Sequence, residues 1–166
     1  MRRRLAAWSS VQTRSKDGTF ASLQRALSAG PVVEVSDAGA IALGERYWRE
    51  AVRASRGLVH CRQYSGAVEL RLLRRGPVLL SFRSAETSLD GDAVSCTYAI
   101  RGGLLTRGEG GTLALSQIGR DGEVELRTEV TGFIPRLGVT LGFVQQRFHA
   151  TISRRYFIRL IAESHP

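Results

Sequence analysis

Between Leu58 and Phe133 apolar and polar residues alternate in short runs, and most runs end at a glycine, Gly-Pro or Asp-Gly. From Leu141 to Ile161 the spacing lengthens to three and four residues. A period of two marks a strand with one wet face, and a period of 3.6 marks an amphipathic helix. Strands are therefore predicted at 58–63, 67–74, 78–83, 93–100, 112–118 and 123–131. The clearest is 93–100, where Val94, Cys96, Tyr98 and Ile100 alternate with Ser95, Thr97 and Ala99. Turns fall at Ser65-Gly66, Gly76-Pro77, Asp90-Gly91 and Asp121-Gly122, dipeptides that accept positive φ or preset a bend. Gly102-Gly103 predicts a bulge or bend. Glu123, Glu125, Arg127 and Glu129 share the face of the last strand expected to meet water.

Upstream the pattern is weaker. Val32, Val33 and Val35 predict a first strand at 31–36, and Ser36 or Asp37 can cap a helix over 41–54. That helix places Leu43, Tyr47, Ala51 and Ala54 at core spacing, with Glu45, Arg46, Arg49, Glu50 and Arg53 on its wet face. Phe20 to Leu27 is read as a short helix inside a flexible basic extension, residues 1–30, and 31–163 as a single domain. The final helix carries Leu141, Val144, Phe148, Ile152, Tyr156 and Leu160 in one stripe, interrupted near its end by Arg155 and Arg159.

The fold class that follows is α+β: a curved antiparallel sheet of about seven strands wrapped around a long C-terminal helix. This element order resembles the helix-grip fold of the START-like (SRPBCC) superfamily, over about residues 31–163 and without a diagnostic motif. The resemblance implies a cavity between sheet and last helix, and a small hydrophobic partner such as a lipid or polyketide. It places Cys96, Tyr98, Ile100, Leu113, Leu115, Phe148 and Ile152 on the cavity wall. Trp48, Tyr47, Tyr98, Phe133, Phe148 and Tyr156 are the aromatic supply. A cyclase or aromatase on the same fold is the alternative, and His149 and Tyr98 are its candidate catalytic groups. A binding protein is preferred over an enzyme.

Composition narrows the partners. The chain has 166 residues, 43% hydrophobic and 23% charged, as expected of one globular domain. It lacks both the roughly 18–20 apolar residues of a membrane span and the apolar core of a signal peptide, so a cytoplasmic protein is expected. The formal charge is +9. Arg2, Arg3, Arg4, Arg14 and Lys16 supply five positive charges before the first acid, and the remaining nineteen basic residues face fifteen acidic ones. Nucleic acid is thus not the preferred partner. Contact of this tail with anionic membrane or nucleic acid is a further alternative.

No cofactor or metal is expected. His60, His149 and His165 lack ligand spacing. Cys61 and Cys96 have no CxxC partner and are read as buried free thiols. The glycines from 102 to 111 lack the spacing of a phosphate loop and join two strands. Arg136 and Arg155 are available to an acidic ligand headgroup, but solvation is the simpler reading for both.

Overall fold

The computed structural model describes residues 5–136 and 139–164, with side chains from Gln145 onward in the last helix. Among the described residues nine strands and two helices follow in order: β1 (Ala6–Arg14), β2 (Phe20–Ser28), α1 (Asp37–Ala54), β3 (Val59–Tyr64), β4 (Ala67–Leu72), β5 (Val78–Phe82), β6 (Glu86–Asp90), β7 (Ala93–Gly102), β8 (Thr112–Arg120), β9 (Glu123–Phe133) and α2 (Val139–Ser164). All strand pairs are antiparallel, in the order β1-β2-β9-β8-β7-β5-β4-β3, with β6 beside the first half of β7. Leu141, Val144 and His165, singled out above, lie outside the described side chains.

The sheet is curved, and one face carries both helices. Cys96, Leu115, Thr128 and Gln24 sit opposite one another across four strands. At the β7 end of this row Tyr98, two residues on, packs against Gly44 and Trp48 of α1. At the β2 end Thr128 bonds to Ser153 of α2. Hairpins form where the turn chemistry places them: Ser65-Gly66 have φ of 49° and 78°, and Asp121-Gly122 have 32° and 89°, both central residues in the left-handed region that such two-residue turns require. At Gly103 the need is steric. A Cβ there would sit 2.3 Å from the Leu79 carbonyl oxygen, so the chain can cross β5 closely only without a side chain. Among the described residues no helix is long and apolar enough to cross a membrane.

Two expectations are corrected. Residues 6–28 are not a flexible extension with a short helix; they form β1 and β2, and β2 pairs with β9 along its length. Phe20, Leu23 and Leu27 mimic helical spacing, whereas the residues of β2 that face inward are Phe20, Ser22, Gln24, Ala26 and Ser28. Three of those five are polar, so hydropathy hides the two-residue period. Second, residues 31–36 are no strand. The Val32 and Val33 amides donate to Gln117 Oε1 (2.7 and 3.0 Å), and Gln117 Nε2 donates back to the Val33 carbonyl (2.9 Å). One buried side-chain amide replaces a neighbouring strand. β6, for which the sequence predicts no element, lacks a hydrophobic signature because it is an edge strand with mostly exposed side chains.

Two charged groups assigned to water are buried instead. Glu50 is 1% exposed, with its carboxylate oxygens 2.8 Å from Arg155 Nε and 2.6 Å from Arg159 Nε. The arginines that interrupt the α2 stripe therefore fasten α2 to α1. Glu125 is 8% exposed and is enclosed by Arg127, Arg120 (3.2 Å) and Arg25 (3.7 Å); the Arg127 guanidinium beside it holds its carboxyl below the usual range. In both cases opposite charge offsets the cost of leaving water.

Candidate functional site

Between the sheet and the two helices lies a cavity of about 290 Å³. Its sheet side is built by Leu70 and Leu80 of β4 and β5, Phe82, Ile100, Leu113 and Val130. Trp48 and Ala51 of α1 close one side, and Gln145, Phe148, His149 and Ile152 of α2 close another. Phe148, 38% exposed, stands at the mouth. Among the described lining residues none carries a formal charge at neutral pH.

Size makes this space energetically significant. At about 24 cal/mol per Å³, an empty apolar void of that volume would cost roughly 7 kcal/mol, comparable with the whole stability of a domain. Solvent entering by the mouth, or a guest, removes most of that penalty.

The polar groups of the site converge from four elements. Tyr47 Oη of α1 is 2.9 Å from His149 Nδ1 of α2. The Tyr47 hydroxyl is also within bonding reach of Ser153, and the Thr128 hydroxyl lies 2.8 Å from Ser153 Oγ and 3.0 Å from Gln24 Oε1. A string of polar groups thus links β2, β9, α2 and α1 behind the apolar wall. Burial pushes the Tyr47 phenol up. It pushes His149 down, to about 4, because no anion is at hand to favour the imidazolium. The ring is therefore neutral at physiological pH. Its Nε2 is shielded from solvent with no partner among the described residues, and so is Gln145 Oε1 one turn earlier. A buried polar atom without a partner costs about 1–3 kcal/mol, and both atoms belong to residues of the cavity wall.

A pH dependence follows. Above about 6.5 His149 is neutral whether the chain is folded or not, and it contributes nothing. As pH falls from there towards 4, the unfolded chain takes up a proton that the folded one refuses, so stability is lost over that window. The full loss is about 3 kcal/mol. Urea melts from pH 7 to 4 should show it, and His149→Gln should flatten that part of the curve. An equally steep loss in the variant would assign the effect to other groups.

Of the seven residues predicted for the wall, Ile100, Leu113, Phe148 and Ile152 line the cavity. Cys96, Tyr98 and Leu115 are buried but do not. Tyr98 is covered by α1, its ring 5.1 Å from Trp48. Cys96 pairs across the sheet with Leu115, and neither reaches the open space. Tyr98 therefore does not meet His149 at this site. Arg155 is engaged by Glu50, and no charged headgroup site forms around it. Cys61 and Cys96 are both free thiols on different strand pairs. Sequence reading missed Gln145, a polar residue that gives no hydropathy signal, and Phe20, which lies in the segment read as helix. Of the aromatic supply, Tyr47, Trp48, Phe133 and Phe148 reach the wall, whereas Tyr98 and Tyr156 pack elsewhere.

No protein-family model matches the chain, and no curated protein matches it in sequence. Among solved structures, the human StarD13 lipid transfer and protein localization domain is similar with a TM-score of 0.45 and 11% identity, over 97% of this chain and 90% of that one. The aromatase/cyclase Zhui from Streptomyces sp. R1128 gives 0.37 and 10%, over 95% and 93%. CalU16 from Micromonospora echinospora, in its solution structure, gives 0.34 and 11%; the match covers 80% of this chain but only 64% of that one. With a curved antiparallel sheet holding a long C-terminal helix on its inner face, the chain has the helix-grip fold that its element order led us to expect.

Proposed function

We propose that this protein binds a small, uncharged hydrophobic molecule in the space between its sheet and its two helices. The observation that carries the reading is the cavity of about 290 Å³ with an apolar, uncharged wall. Three polar atoms of wall residues make no hydrogen bond among the described residues, His149 Nε2, Gln145 Oε1 and Trp48 Nε1, and the two on α2 favour a guest with one neutral polar end. A hydroxyl can donate or accept and therefore suits either tautomer of the neutral ring. A carboxylate would enter with no cation to meet it, at a desolvation cost the wall cannot offset. Fatty alcohols, sterols and phenolic polyketides are thus better candidates than free fatty acids.

Binding is favoured over a cyclase or aromatase reaction by the basicity of His149. A ring that titrates near 4 is a weak base for removing a proton from an enol or phenol. Such a nitrogen can hold a polar group far more readily than it can deprotonate one.

The test is a thermal-shift and native mass-spectrometry screen of alcohols, phenols and acids of matched chain length, on wild type and on Ala51→Leu. Ala51 is a wall residue on α1, and the larger side chain extends into the space while keeping a good helix former. We expect alcohols to bind about tenfold or more tighter than acids, and Ala51→Leu to weaken binding by at least about tenfold. Its ligand-free melting temperature should be unchanged or raised, because a void is being filled. Failure of every hydrophobic compound to bind wild type would end the proposal.

A further inference from the structure

Five of the eleven strongly exposed large hydrophobic side chains among the described residues lie along one end of the sheet: Leu58, Leu72, Leu73, Leu104 and Ile134. Backbone hydrogen bonds make that end continuous. The Leu73 amide donates to the Leu58 carbonyl (2.7 Å), Leu72 to Pro77 (3.0 Å), Leu104 to Val78 (3.0 Å) and Arg107 to Ile134 (2.9 Å). Leu58 is 59% exposed and Leu73 53%. Leu73 is also held at φ 58°, a left-handed conformation that disfavours a bulky side chain. A strained backbone that presents an apolar side chain to water makes this turn a candidate functional surface.

The same segments carry Arg56, Arg74, Arg75, Arg107 and Arg136, all exposed. None of the five takes part in an ion pair among the described residues. Residues 56–58, 72–79, 103–107 and 134–136 contain no acid. Glu109, the nearest acid along the chain, faces Arg83. Leu79, Leu105 and Pro135 belong to these segments and also line the cavity, so this end of the sheet surrounds part of the mouth.

We propose that this leucine- and arginine-bearing end of the sheet docks on an anionic phospholipid bilayer. The chemistry separates this occupant from others. Nucleic acid would use the guanidinium groups but leave five leucine and isoleucine side chains in water. A bilayer takes both: apolar side chains enter the acyl boundary while arginines meet the phosphate layer. The docked orientation faces the cavity mouth towards the lipid. The surface includes none of residues 1–16, and bilayer binding is measured without any cavity ligand, so its failure leaves the cavity reading untouched.

The experiment is co-sedimentation of the full chain with vesicles of phosphatidylcholine alone or mixed with phosphatidylserine, at low and high salt. Variants are Arg74→Glu with Arg75→Glu, Leu73→Ser with Leu58→Ser, and Arg2→Gln with Arg3→Gln and Arg4→Gln. Binding is expected on the mixed vesicles, weaker in high salt. The arginine reversal should weaken it at least about 25-fold, at about fivefold for each arginine. The leucine pair should weaken it with an unchanged melting temperature, and the tail variant should bind as wild type does. The proposal is overturned if wild type ignores the mixed vesicles, or if only the tail variant loses binding. Light scattering adds an outcome: a dimer that the leucine variant converts to monomer, with no vesicle binding, would make this surface a protein interface instead.

Discussion

The double variant Arg155→Ala, Arg159→Ala is expected to lose about 3–5 kcal/mol of stability, more than the removal of Glu50 itself. Glu50 is 1% exposed while the two arginine side chains are 45% and 46% exposed. Removing the arginines strands a carboxylate between α1 and α2, without counter-charge or water. Removing the carboxylate, in Glu50→Gln, leaves two guanidinium groups that already reach solvent and can hydrate further, at a cost of about 1–2 kcal/mol. The asymmetry is the signature of a buried acid held by half-exposed bases. Urea denaturation of wild type and both variants at neutral pH measures it. Equal losses in the two variants, or a larger one in Glu50→Gln, would mean that the ion pairs do not carry the attachment of α2.

Trp48→Ala is the second large effect, a loss of about 3–5 kcal/mol. Trp48 is 2% exposed, and its ring lies 4.8 Å from Phe82, 5.1 Å from Tyr98 and 5.2 Å from Tyr47. No neighbouring side chain can collapse into the space, because those rings are themselves pinned by the sheet and by α1. Since Trp48 is part of the cavity wall, its removal should also enlarge the site and shift binding towards bulkier guests. Trp8, edge-on to Phe157 at 6.0 Å, remains as a fluorescence reporter of unfolding. A loss under about 1 kcal/mol would contradict the packing described for this cluster.

How much of this was visible in the chain depends on whether a residue's role follows from its neighbours in sequence. Ala93–Ile100 and the Asp-Gly turns were legible because alternation and positive-φ tolerance are local properties. Ser36 likewise caps α1, accepting from the Gly39 amide at 3.1 Å. The α2 stripe was legible through Ile152, Tyr156 and Leu160, all buried. At the cavity, the resemblance offered seven wall residues, of which Ile100, Leu113, Phe148 and Ile152 line it; setting Cys96, Tyr98 and Leu115 aside required knowing where α1 lies.

Local pattern was thus enough for the α+β class, the meander β7–β9 and the long closing helix, because each is encoded by the period of hydrophobic residues. Assembly alone brought Gln117 beside Val32 and Val33, Glu50 under Arg155 and Arg159, and β2 against β9 with serine and glutamine facing inward. Gln117, Gln24 and Glu50 are buried with partners that come from distant segments. A hydropathy pattern records the side chain and not the partner.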